Sequence, residues 1–198
     1  MRDRRLAMAG FCGMLVLAGV ARAQPVAVPP QLAACQTCHA EAAGNASAMA
    51  PRLNGQPAEY LAARMRSFRD PTRQSAHATY FMFDVNAGLP DAQVMALAQY
   101  FSAQPAPAGA GKGPLAQRGQ QLYQMGVGQD VAPCQTCHGA QGEGARQVPR
   151  LAGQRGAYLR QQMENFSFAT RVHDTMNPHA RSLTHEEIMA LVAYLAND

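Results

Sequence analysis

The pentapeptide CQTCH stands at residues 35–39 and returns, letter for letter, at 134–138. Its surroundings return with it. PRLNGQPAEYL at 51–61 matches PRLAGQRGAYL at 149–159. Phe68 and Arg73 lie five apart, as do Phe166 and Arg171. MFDVNAGLPDAQVMALAQYFS at 82–102 matches MNPHARSLTHEEIMALVAYLA at 176–196. The offset is 99 residues at the pentapeptides, 98 at the Pro-Arg-Leu blocks and 94 at the endings, so the largest insertion lies in the first half between Arg73 and Met82. Self-similarity at a fixed period means one structural unit built twice. The stretch AQPAPAGAGKGP at 103–114 is too rich in Pro, Ala and Gly to bury a core and reads as a connector. The expected organisation is a leader at 1–23, a first domain at 24–104, a linker at 105–113 and a second domain at 114–198.

The leader is read from MRDRRLAMAGFCGMLVLAGVARA. Arg2, Arg4 and Arg5 make a positive start, and Ala7 to Val20 form an apolar run too short and glycine-rich for a membrane span. Ala21 and Ala23 complete an A-x-A site, so cleavage is expected after Ala23, with export to the periplasm. An uncleaved anchor is the competing reading. Lipid attachment at Cys12 is disfavoured by Phe11 before it. Of 17 basic and 13 acidic residues, the leader takes four arginines and one aspartate, leaving 13 against 12. That near-balance offers no clustered basic face for nucleic acid.

Cleavage also removes Cys12, so all four remaining cysteines lie in the two pentapeptides. An exported chain meets oxidising conditions, and disulfides are the default there. A disulfide, however, has no need of the histidine that follows each pair. A structural zinc site would need four ligands per site or one site shared between the halves. A thioredoxin-like motif would need a βαβ setting, and no alternating strand pattern of useful length exists. C-x-x-C-H is the attachment signature of c-type haem. Its two thiols take up the two vinyl groups of one haem, and the adjacent histidine is held beneath the iron. Two covalent c-type haems are therefore expected, on Cys35, Cys38 and His39 and on Cys134, Cys137 and His138.

Helical periodicity dominates both halves. Ile188, Leu191, Val192 and Leu195 follow an i, i+3, i+4, i+7 pattern, and Val94, Leu97, Ala98 and Phe101 repeat it. Thr184 and Glu187 form a capping box, and Pro57 suits the first turn of a helix carrying Leu61, Met65 and Phe68. The expected class is all-α, two tandem small helical domains each wrapped around a haem. About 80 residues per half is marginal for a purely apolar core, and a covalent haem supplies the missing apolar bulk.

With these residues the chain resembles the dihaem cytochrome c4 family, each half resembling a class I cytochrome c domain. The resemblance rests on the two CQTCH motifs, the P-R-L-x-G-Q blocks and the Met-to-Leu-to-helix endings. Gly119 and Tyr123 resemble the glycine–aromatic pair that crosses the terminal helix at Leu191 and Tyr194. The first half departs from the pattern, with only QPVAVPPQLAA before Cys35, which leaves Leu97 and Tyr100 without that crossing helix. The resemblance implies that the Pro51 and Pro149 carbonyls hold the ligating histidines and that Leu53 and Leu151 pack on the haems. It implies that Tyr60, Tyr158, Arg73 and Arg171 hold haem propionates; each could equally be an ordinary amphipathic surface residue.

The sixth iron ligand separates an electron carrier from an enzyme, since an open position admits substrate. A ligand used twice should stand in register. Met82 lies seven residues before Leu89 and Met176 seven before Leu183, both read as irregular sequence ahead of the last helix of each half, where the family resembled places its axial Met. A thioether ligand favours reduced iron. Met65 and Met163 are also in register but sit on apolar helical stripes, the ordinary place for core methionine. His77 and His173 are out of register, and His179 and His185 align with Val85 and Asp91. The expected function is electron transfer between a respiratory donor and an acceptor such as a terminal oxidase. The alternatives are the electron-accepting subunit of a periplasmic dehydrogenase complex and, disfavoured by the paired methionines, a dihaem enzyme such as a peroxidase or sulfur-compound oxidase. The sequence leaves open peripheral membrane association through a partner. Tyr80, Phe81 and Phe83 beside Met82 are expected to screen the first iron from water and so to split the two potentials.

Overall fold

The computed structural model describes residues 28–40, 49–70, 76–109 and 111–197, with side-chain surroundings from residue 80 onward in the third helix. The expected leader at 1–23 with Cys12, and Arg73, lie outside the described residues. The described chain is helical, with isolated β-bridges and no strand, and none of its helices is long and apolar enough to cross a membrane.

In chain order the first half contributes α1 (Leu32–His39), α2 (Ala58–Ser67), α3 (Ala76–Ala87) and α4 (Asp91–Ser102). The second contributes α5 (Gly113–Met125), α6 (Gln135–His138), α7 (Gly156–Ser167), α8 (Met176–Arg181) and α9 (His185–Leu195). The capping box forms as its sequence predicts: the Thr184 hydroxyl accepts from the Glu187 amide at 3.2 Å, and the Glu187 carboxylate accepts from the Thr184 amide at 2.9 Å. Pro57 caps α2 from just outside rather than occupying its first turn.

Each half has its own apolar core. In the second, α5 crosses α9 so closely that a Cβ on Gly119 would lie 1.9 Å from the Ala190 carbonyl oxygen. Tyr123, one turn on, is fully buried, packs 5.5 Å from the Tyr194 ring and donates to the Gly139 carbonyl at 2.6 Å. Leu122, Leu159, Leu183, Ile188, Leu191 and Leu195 complete this core. In the first half, Leu32 of α1 packs with Leu61, Ala62, Val94, Leu97, Ala98 and Phe101. Leu97 is fully buried without a counterpart of α5 among the described residues, because α1 and α2 close over α4.

One expectation needs correction. Met82 and Met176 do not lie in irregular sequence: Met82 is inside α3 and Met176 opens α8. AHATYFMFDVNA holds no glycine or proline, and Pro178 falls in the first turn of α8, where its missing N–H is harmless. The extra residues of the first half thus lengthen a helix. Within the protein alone, Tyr80 and Phe81 are 78% and 60% exposed with their rings edge-to-face at 5.3 Å, and Phe83 is 39% exposed.

Candidate haem centres

Cys35, Cys38 and His39 are at i, i+3 and i+4 of α1, so one turn gathers all three side chains on one face. α6 does the same, with Cys134 as its N-cap. The four described cysteines are free; Cys35 and Cys134 are half-buried, and burial pushes both thiols above their ordinary pKa. Among the described residues no three His, Cys, Asp or Glu side chains are placed to hold one metal ion by themselves.

Both histidines are held the same way. His39 Nδ1 lies 2.7 Å from the Pro51 carbonyl oxygen, and His138 Nδ1 lies 3.0 Å from that of Pro149. A carbonyl only accepts, so Nδ1 carries the proton and Nε2 is left to bind a metal. Burial is the main cause lowering both imidazole pKa values; Arg155 adds to it at His39, and His173 at His138. Neutral imidazole is the ligating form. Leu53 and Leu151 pack at the margins of the two cores.

Met82 and Met176 are both half-buried. Met65 and Met163 pack against the first and second cores. The His77 side chain lies outside the described residues. The exposed His173 accepts through Nδ1 from the Thr175 and Met176 amides at 3.3 and 3.4 Å, which ties it to the start of α8. His179 meets the Asp130 carbonyl at 3.2 Å.

The halves meet on their P-R-L-x-G-Q blocks, with near two-fold symmetry. The Gln154 side-chain oxygen accepts from the Arg52 amide at 2.7 Å, and its nitrogen donates to the Arg52 carbonyl at 3.0 Å. Gln56 repeats this on Arg150, at 3.0 and 2.7 Å. Both glutamines are buried. Gly55 and Gly153 have φ of +69° and +74°, and a Cβ on either would strike Ala106 or Pro107 of the connector, so only glycine lets the chain pass. Arg155 reaches across to donate to the Ala50 and Ala40 carbonyls, each at 2.7 Å.

Beside this seam stand Tyr60, Tyr158, Arg64 and Arg171. Arg171 donates to Gln162 at 2.7 Å and to the Tyr60 hydroxyl at 3.5 Å, and it stacks over the Phe166 ring at 4.5 Å. Burial pushes the Tyr158 hydroxyl up, while burial and then the charge of Arg171 pull Arg64 down. Neither arginine takes part in an ion pair among the described residues. Two neighbouring cations and two phenols, with no acid against them, fit the carboxylates of a ligand. This donor set, two one-turn thiol pairs and two proton-bearing Nδ1 atoms fit haem: the cysteines would form thioethers, each histidine Nε2 would hold iron, and Arg64, Arg171, Tyr60 and Tyr158 would hold propionates. Sequence reasoning missed Arg64, which stands four residues after Tyr60 on one face of α2, and the two glutamines, which it used only as markers of the repeat.

Fold and site define a c-type cytochrome. A sequence profile for cytochrome c matches residues 116–197. Cytochrome c-552 of Acidithiobacillus ferridurans is 33% identical over 94% of this chain and 85% of its own. A thiosulfate dehydrogenase electron acceptor of Thiomonas intermedia is 34% identical over 98% and 90%. The cytochrome c4 structure of Acidithiobacillus ferrooxidans superposes with a TM-score of 0.76 at 34% identity, over 83% of this chain and 98% of its own. The chain belongs to the cytochrome c4 family and is an electron-transfer protein rather than an enzyme.

Proposed function

We propose that the chain carries two covalent haems, one on Cys35 and Cys38 with His39 and Met82 as iron ligands, the other on Cys134 and Cys137 with His138 and Met176. The observation behind this is the pair of one-turn Cys-x-x-Cys-His sites, each with its Nδ1 tied to a proline carbonyl. Bound haem supplies one-electron chemistry at iron. The protein's share is to fix each imidazole, close the sixth position with a thioether and neutralise propionates with Arg64 and Arg171. The proposed division remains 24–104 and 114–198 around a linker at 105–113, with the leader removed after Ala23 and the mature protein in the periplasm. Its partners are a respiratory donor and an acceptor such as a terminal oxidase. The likeness to a thiosulfate dehydrogenase electron acceptor supports a second reading, service to a periplasmic dehydrogenase.

Anaerobic redox titration of the purified protein tests the proposal. Two resolved one-electron waves are expected, because Arg155 places its charge beside His39 alone and Pro57 occupies the equivalent position in the first half. Both irons should stay low-spin and bind no carbon monoxide. A high-spin iron or a carbon monoxide adduct in the resting protein would replace the carrier by an enzyme.

A further inference from the structure

Each iron-binding histidine is joined to the opposite half through one peptide group. The Pro51 carbonyl, which faces His39 Nδ1, and the Arg52 N–H, which faces Gln154, belong to the same amide. The Pro149 carbonyl and the Arg150 N–H likewise link His138 to Gln56. A trans amide points its C=O and N–H in opposite directions, so the two hydrogen bonds run through the amide as a chain. Polarisation makes them cooperative: an acceptor on the N–H strengthens the carbonyl as an acceptor.

We infer that Gln154 and Gln56 are crossed positioning residues, each tuning the haem of the other half through a single peptide group. The inference rests on His39 and His138 being the iron ligands. Each amide orientation is fixed by the seam itself, because an N–H needs the glutamine oxygen and a C=O needs the nitrogen. A stronger bond from Nδ1–H gives the imidazole more anionic character and makes it a better donor to iron, which favours ferric iron. Removing a glutamine acceptor therefore raises the potential of the opposite haem. The links to His39 are 2.7 and 2.7 Å, against 3.0 and 3.0 Å to His138, so Gln154 has the greater effect. A clasp with a purely mechanical role behaves differently, since opening the seam admits water to both haems and lowers both potentials.

The test is Gln154→Leu in the holoprotein, read by redox titration with each haem's NMR signals assigned to its half, and by the histidine Nδ1–H resonances of the reduced protein. The expected result is a more positive potential for the first-half haem, an upfield shift of the His39 Nδ1–H resonance and an unmoved second haem. Gln56→Leu should give the mirror pattern with a smaller shift, and it carries the test alone where Gln154→Leu fails to accumulate. A shift confined to the variant's own half, equal shifts in both haems or a fall in both overturns the crossed relay while leaving the haem assignment standing. A wild-type spectrum in which His39 or His138 is not ligated overturns both.

Discussion

Replacing Met176 with alanine should open the second-half iron to exogenous ligands and lower its potential by on the order of 0.2 V, a fraction of the span that axial ligands command. Met82→Ala should do the same to the first-half iron. The cause is the loss of a soft thioether that favours the reduced metal. Met163→Ala and Met65→Ala are the controls. These side chains pack against the two cores, so each truncation should cost about 2 kcal/mol, the lower end for core methionine because neither is fully buried. Their iron spectra should stay as in the parent protein. Unchanged spectra in Met82→Ala and Met176→Ala, with changes in the controls, would mean that the other register pair holds the irons.

Gly119→Val should be the most damaging single change in the second core. The Cβ alone would lie 1.9 Å from a backbone oxygen of α9 and 2.9 Å from Tyr194 Cβ, and backbone cannot swing aside as a side-chain tip can. The crossing must open, which pulls Tyr123 from its bond to Gly139. Overpacking of this kind costs about 3 kcal/mol, which for a unit this small lowers Tm by roughly 12–24 °C. Thermal unfolding followed by circular dichroism checks it. The first half has no such crossing among its described residues, so its transition should keep its midpoint. An unshifted second transition would show that the α5–α9 contact is not what holds that half.

What was legible in the sequence was whatever is local or repeated. The Cys-x-x-Cys-His turns need only one helical turn to assemble. The faces of α4 and α9 follow from their apolar spacing, the start of α9 from Thr184 and Glu187, and the close crossing from Gly119 with Tyr123. The seam was hidden because pairing two halves is a tertiary matter: nothing in PRLNGQ or PRLAGQ says that each glutamine reads the other block's arginine backbone. Arg64 was hidden for the same reason, since its neighbour Arg171 lies in the opposite half. The insertion before Met82 misled because its length was visible but not its conformation. It extends α3, so Met82 stands inside a helix rather than in irregular sequence.

The intact mass of the purified protein, denatured so that only covalent groups remain, tests the two-haem account most directly. The four cysteines outside the expected leader all belong to the two Cys-x-x-Cys-His turns and form no disulfide among the described residues. The predicted mass is that of a chain beginning at Gln24 plus two haems, with no thiol left to alkylate. A mass with one haem or none, or two hydrogens lighter than the bare chain for each disulfide, would contradict it.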